Sequence, residues 1–122
     1  MKPVILVIED NEQNMYLMRF LLEKHGFTVL EATDGISGLE IAKKEKPKLI
    51  LLDIQLPRMD GYTVARELRK NSDLNNTPIV AVTSYAMAGD RELSIASGAD
   101  GYIEKPIDPE IFIEQITKYL NE

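Results

Sequence analysis

The residues able to do chemistry in this chain of 122 residues stand at the ends of short apolar runs. Glu9 and Asp10 follow residues 4–8, Asp53 follows 49–52, Thr83 and Ser84 follow 79–82, and Lys105-Pro106 comes just after 101–103. If those runs are strands lying side by side, the carboxylates converge on one edge. At about 4 Å and an effective dielectric near 20, each pair of negative charges costs roughly 4 kcal/mol before relaxation, so a cation must offset them. The donors are hard oxygens, and the chain has no cysteine and a single histidine. That set points to Mg²⁺, with Mn²⁺ as a substitute, held by few carboxylates and several waters so that open positions remain for a phosphoryl group.

A carboxylate beside such an ion can attack a phosphoryl group and become an aspartyl phosphate, because the ion and a nearby ammonium neutralise charge on the transferring oxygens. Asp53, on a central strand between the acidic pair and the lysine, is the candidate nucleophile. Glu9 and Asp10 suit the metal. Thr83 can donate a hydroxyl hydrogen bond to one phosphoryl oxygen, and Lys105 can make a charge-assisted contact to another.

The elements that must position these groups are legible in the apolar pattern. Runs at 4–8, 28–32, 49–52, 79–82 and 101–103 are too short for helices and read as strands. Continuous hydrophobicity in the first, third and fourth implies burial on both faces, as in central parallel strands, and the other two read as edges. Helical periodicity separates them: Met15, Met18, Leu21 and Leu22; Ile36, Leu39 and Ala42; Val64, Ala65 and Leu68; a weaker segment around Leu93 and Ala96; and Phe112, Ile113, Ile116 and Leu120. Asp34, Asp60 and Asp108 stand at N-cap positions, Pro109 at a first helical position, and Gly26 and Gly98 just beyond helix ends. The stretch 71–77 reads as a polar surface loop. His25 precedes Gly26 at a helix end, where a cation suits the dipole, and is read as structural. Strict alternation of strand and helix predicts a doubly wound α/β domain, with a parallel sheet, right-handed crossovers and helices on both faces. Ligands in such sheets sit beyond the carboxyl ends of the strands, where the polar residues lie.

Composition narrows the function further. Asp plus Glu number 20 against 14 Lys plus Arg, a net charge of -6, which repels phosphodiester backbones and anionic lipid and argues against nucleic acid or membrane as partner. No apolar stretch approaches the roughly 20 residues that span a bilayer, and Glu9-Asp10 end the first run before a signal-peptide core could form. The absence of cysteine excludes a disulfide framework, a thiolate zinc site and a cysteine nucleophile, and fits a reducing, cytoplasmic setting. One domain over residues 1–122 is expected.

The sequence resembles the receiver domain of two-component response regulators over essentially its whole length. The resemblance rests on Val7-Ile8-Glu9-Asp10, on Leu51-Leu52-Asp53-Ile54-Gln55-Leu56-Pro57 with Met59-Asp60-Gly61, on Ala81-Val82-Thr83-Ser84, and on Tyr102-Ile103-Glu104-Lys105-Pro106. Tyr85-Ala86-Met87 with Gly89-Asp90 looks most like stand-alone receivers of the cell-division-regulator type and receivers of hybrid histidine kinases. The resemblance implies a flavodoxin-like sheet in the order 2-1-3-4-5 and Asp53 as phosphoacceptor. It also implies Mg²⁺ bound by Asp10, Asp53 and the backbone carbonyl of Gln55, with Glu9 assisting through water. A histidine kinase or histidine phosphotransfer protein would supply the phosphoryl group, with Thr83 and Lys105 contacting it. Thr83 and Tyr102 would then switch the face formed by the fourth helix, fifth strand and fifth helix, through which a downstream protein is bound. The Lys105-Pro106 peptide would be cis. Ser84 stands where the family has a small residue, and Gln55 and Tyr85 flank the site, where they would tune the lifetime of the phosphoryl group.

Two other functions use related parts. A phosphatase of the haloacid-dehalogenase type also has an aspartate nucleophile and Mg²⁺, but needs a second acid two residues later, where this chain has Gln55. A flavodoxin-like flavin carrier wants hydroxyls and amides after the first strand, where Glu9 and Asp10 would repel its phosphate.

Overall fold

The structure is a computed structural model and describes residues 3–84 and 89–120. Tyr85, Ala86 and Met87 lie outside the described residues. The chain alternates β1 (Val4–Ile8), α1 (Glu12–Lys24), β2 (Thr28–Ala32), α2 (Gly35–Glu45), β3 (Leu49–Asp53), α3 (Gly61–Arg69), β4 (Ile79–Thr83), α4 (Asp90–Ala96), β5 (Gly101–Glu104) and α5 (Phe112–Thr117). Among the described residues the strands form one parallel sheet in the order β2-β1-β3-β4-β5, so the doubly wound fold and its strand order are as expected.

Alternation along each strand divides the core between the two sheet faces. Leu6, Ile8, Ile50, Leu52, Ile79 and Ala81 pack with Ala42 of α2 and Val64, Ala65 and Leu68 of α3. Ile5, Val7, Leu49, Leu51, Val80 and Val82 pack with Met15, Met18, Leu21 and Leu22 of α1 and Phe112 and Ile116 of α5. Every residue of β3 and β4 is buried, whereas β2 and β5 are only partly so. That contrast is the signature of central and edge strands.

The helix boundaries have local causes. Asn11 and Asp34 cap α1 and α2 by accepting from the Asn14 and Ser37 N–H groups at 2.9 and 2.8 Å, and Asp60 caps α3 through Thr63 at 2.9 Å. After α1, Gly26 at φ 90° lets its own N–H reach the Glu23 carbonyl while the Phe27 N–H reaches Leu22, the paired bonds of a Schellman ending. Gly98, at φ 117°, ends α4 in the same way through Ile95 and Ser94. His25 Nδ1 lies 2.9 Å from the Leu21 carbonyl, a local bond that suits its structural reading.

One expectation needs correction. Asp108 does not cap a regular helix beginning at Pro109: its side chain accepts from the Glu110 N–H at 3.0 Å and its carbonyl from Ile111 and Phe112, so a turn precedes α5. In α4, Leu93 is 54% exposed and Ile95 47%, while Ser94 and Ser97 are buried. Ser97 can face inward because its hydroxyl donates to the Leu93 carbonyl and accepts from Arg66 at 3.3 Å. The loop at 71–77 contains a short 3₁₀ turn, Ser72–Leu74, and buries Leu74. Arg69 ties that turn down, donating to the carbonyls of Leu74, Thr77 and Gly98 and to the Asp100 carboxylate.

The link from β3 to α3 carries Asp53 and closes at Gly61, whose N–H donates to the Ile54 carbonyl at 2.9 Å. A Cβ on Gly61 would lie 2.5 Å from Ile54 Cα and 2.6 Å from the Asp53 carbonyl oxygen, backbone atoms that have nowhere to go. Gly61→Ala is therefore expected to lower unfolding free energy by at least about 2 kcal/mol. Urea denaturation measures it, and a loss below about 0.5 kcal/mol, the range of ordinary surface changes, would contradict the tight approach.

Candidate functional site

Strand register brings the polar residues together. Ile8 pairs with Leu52 and Asp53 with Val82, so Glu9 emerges beside Asp53. The Lys105 N–H continues the β4–β5 ladder to the Thr83 carbonyl at 2.8 Å. Beyond these ends opens a cleft of about 700 Å³ lined by Glu9, Asp10, Asp53, Gln55, Ser84, Lys105 and Pro106 on the strand side and by the first turn of α1 on the other. The Lys105-Pro106 peptide is cis.

Lys105 occupies the centre. Its Nζ lies 2.8 Å from Glu9 Oε1 and 3.3 Å from Asp53 Oδ1, with both carboxylates almost wholly buried. Asp53 Oδ1 also accepts from the Gln55 N–H at 3.0 Å, and Glu9 Oε2 accepts from the Asn11 N–H at 3.1 Å. Glu9 Oε1 is buried without a well-aligned hydrogen-bond donor; the lysine is close enough for charge attraction but poorly directed, so the oxygen retains unused acceptor capacity. One carboxylate oxygen from each of Glu9, Asp10 and Asp53 lies within 4.8 Å of the others. Hard donors, an under-satisfied buried oxygen and an exposed member in Asp10 fit a small divalent cation that keeps part of its water shell.

Thr83 and Tyr102 sit differently. Thr83 ends β4, is 1% exposed and does not line the cleft. Tyr102 pairs with Ala81, two residues before Thr83, which puts both side chains on one face of the sheet. Nothing in the residue pattern signals the clasp across the mouth of the cleft, where the Ser84 hydroxyl donates to Gln55 Oε1 at 2.6 Å. Asn11, by contrast, carries a signal in its type, since an amide before an acidic helix start is an N-cap signature. No acidic residue stands two positions after Asp53, so the phosphatase alternative gains no support.

Burial raises the Glu9 carboxyl from 4.5 to about 7; Asp53 pushes the same way, while Lys105 and the Asn11 N–H oppose it. Between those two values the native chain holds a proton that the unfolded chain has released. The Glu9 contribution to stability is thus fully present below pH 4.5 and is lost as the pH rises through about 7. Denaturation in EDTA is expected to show Glu9→Gln gaining stability relative to the parent across that window. A stability difference that stays flat with pH would mean that Glu9 is ionised throughout.

Comparison with known proteins agrees with this geometry. Residues 5–117 match the response regulator receiver domain family. The chain is 40% identical to the polar-differentiation response regulator DivK of Brucella anthropi, across 100% of this chain and 99% of that protein, and equally so to DivK of Brucella ovis. The receiver domain of the sensor histidine kinase PA1611 from Pseudomonas aeruginosa, with a magnesium ion coordinated in its active-site cleft, superposes with a TM-score of 0.92 at 30% identity over 100% of both chains. The BeF3-activated receiver domain of Klebsiella pneumoniae RstA gives 0.89 at 34% identity, over 98% of this chain and 99% of that one. A cell-division-type regulator and a kinase receiver, the two subgroups suggested by the sequence, are both among these relatives. The acidic cleft at the carboxyl edge of a 2-1-3-4-5 sheet thus stands in a chain that belongs to the response regulator receiver domains of two-component systems.

Proposed function

We propose that this receiver domain is a phosphorylation-controlled protein-binding module in which Asp53 accepts a phosphoryl group from a histidine kinase or a histidine phosphotransfer protein. The observation that carries this reading is Asp53 itself: a carboxylate at the end of the central strand, 2% exposed, next to an acidic pair and within 3.3 Å of an ammonium. A purely structural aspartate would gain nothing from two further acids beside it.

A carboxylate oxygen of Asp53 attacks phosphorus, the phosphorus–nitrogen bond of the donor phosphohistidine breaks, and its electron pair stays on the imidazole. Glu9, Asp10 and Asp53, with the backbone carbonyl of Gln55, would hold Mg²⁺, or Mn²⁺ in its place. When bound, the ion supplies neutralisation of the charge on the phosphoryl oxygens. Lys105 turns from Asp53 toward the transferred group and makes a charge-assisted contact. Hydrolysis of the mixed anhydride by water returns the carboxylate and releases inorganic phosphate.

Output follows from Thr83 and Tyr102. The Thr83 hydroxyl turns toward the phosphoryl group, and Tyr102, on the same face one strand over, moves into the volume released. Leu93 and Ile95 of α4 and Ile111 before α5 are exposed apolar side chains, a surface composition suited to a protein partner. Phosphorylation can bias that face only by the difference in interaction between the two conformations.

Incubation with acetyl phosphate and Mg²⁺ followed by intact-mass measurement is expected to give one hydroxylamine-labile phosphoryl group per chain, absent in Asp53→Asn. An unmodified parent mass, or rapid turnover without a labelled intermediate, would overturn the reading. In the same buffer without phosphodonor, Mg²⁺ at 100 times its dissociation constant should add about 2.7 kcal/mol of stability, and Asp10→Asn should diminish this. A melting curve indifferent to millimolar Mg²⁺ would remove the metal from the scheme.

A further inference from the structure

The charge of this acidic chain is unevenly spread. Residues 43–48, the last turn of α2 and its link to β3, hold four lysines and one glutamate in a chain whose net charge is -6, so the other residues sum to -9. Lys43 and Lys44 suit the negative end of the α2 dipole. Lys46 reaches Asp73 at 3.5 Å with both side chains more than half exposed, a pairing of little worth in water. Lys48 lies beyond the helix, where the dipole does not account for it. Lys43, Lys44 and Lys48 are exposed and make no ion pair among the described residues.

The segment borders a groove. Pro47-Lys48 precede β3 and Thr77-Pro78 precede β4, so the groove lies at the amino edge of the sheet, the end away from Asp53. With Asn76 and Tyr119 these residues enclose about 260 Å³, and an adjoining hollow of about 430 Å³ continues past Asn75. Asp100, the acid on that lining, is neutralised by Arg69 at 2.6 Å. The Tyr119 ring is seated where any side chain on Gly101 would stand, which fixes that wall, and Lys118 Nζ lies 5.4 Å from the centre of the same ring. Apolar and amide walls flanked by ammonium groups match a protein segment that sets an apolar side chain beside carboxylates. Screening over about 8 Å at physiological salt lets such a short segment meet the lysines alone, whereas nucleic acid or an anionic membrane would also meet the -9 of the remaining residues. We infer that the lysine-flanked groove at the amino edge of the sheet docks an acidic segment of a protein partner. Its place opposite Asp53 lets this partner and a phosphodonor be held at once, and the inference does not rest on the proposed function.

The test is a titration of the ¹⁵N-labelled, unphosphorylated chain with a blocked peptide of four glutamates around one leucine, read by amide chemical shifts. Shifts are expected to gather at residues 44–48, 75–78 and 118–120, and the affinity to fall about tenfold between roughly 20 mM and 300 mM NaCl. Lys44→Glu/Lys48→Glu should weaken binding by about tenfold or more, and Lys44→Gln/Lys48→Gln by less, both with the parent melting temperature because the positions are exposed. A peptide with glutamine in place of glutamate should bind as weakly as the charge-reversed chain does to the acidic one. Absence of shifts at millimolar peptide in low salt, shifts gathered elsewhere, or equal affinity in the charge-reversed variant overturns the docking groove. Tighter binding of a DNA oligonucleotide or of phosphatidylserine vesicles through the same residues overturns its assignment to a protein partner. A chain that binds the peptide but takes no phosphoryl group overturns the proposed function alone, and a labelled chain that ignores the peptide overturns the groove alone.

Discussion

One ammonium between two buried carboxylates sets the balance of this cleft. Lys105 lies within ion-pair distance of both Glu9 and Asp53, yet it carries one positive charge against three acidic groups whose oxygens lie within 4.8 Å of one another. The native protein meets the imbalance partly by raising the Glu9 pKa and partly by leaving Asp10 in solvent. Neither measure removes the excess negative character. The resting cleft therefore fits a small hard cation, since an ion settling among the oxygens would relieve repulsion that folding imposed.

That imposition is possible because the sheet is parallel and its registers are tight. Four buried strand residues precede Asp53, and the apolar contacts made by Leu49 to Leu52 on both faces anchor it where solvation is poor. Glu9 is delivered by β1, its neighbour, and Lys105 by β5 at the sheet edge. The three strand ends are brought together by contacts distributed over the whole domain, so their backbones cannot be separated without breaking core packing. Short, well-capped loops add to the constraint: Asn11 fixes the turn after Glu9, and Gly61 lets α3 approach the backbone of Asp53 itself.

How much of this was legible in the residues follows from which forces are local. The alternation of apolar runs and helical segments, the caps at Asp34 and Asp60 and the glycine endings at Gly26 and Gly98 all rest on short-range chemistry, and the structure has each of them. Of the strand-end residues, Glu9, Asp10, Asp53, Ser84 and Lys105 line one cleft because a parallel α/β sheet directs its carboxyl ends to one edge, whereas Thr83 is buried and does not line it. The misses come from tertiary context. The helix around Leu93 and Ala96 is present, but its apolar residue Leu93 is exposed while the hydroxyls of Ser94 and Ser97 face inward, Ser97 accepting from Arg66. Asp108 looked like a helix cap, and it organises a turn that delays α5 instead. Arg69, one of many charged residues in the sequence, is a fourfold fastening that only the folded chain reveals. The Gln55–Ser84 clasp is equally invisible in one dimension, since 29 residues separate its partners.

The same separation of roles within the sheet links the cleft to the proposed output. Glu9 and Asp53 continue the side-chain parity of Val7 and Leu51, which face α1 and α5, whereas Thr83 and Tyr102 share the parity of Ala81 and face the opposite layer. Charge placed on Asp53 acts across a single strand spacing on the end of β4, where Thr83 is fully enclosed. A packed interior cannot absorb a displaced hydroxyl by gradual deformation, because its neighbours occupy discrete rotamers at close contact. Movement of Thr83 therefore requires a partner that can change place with it. Tyr102 is half-buried on the edge strand, whereas the residues of the central strands β3 and β4 are wholly buried. In the proposed function, the edge position of β5 would let one chemical event in the cleft reach an exposed apolar surface while the core between them stays intact.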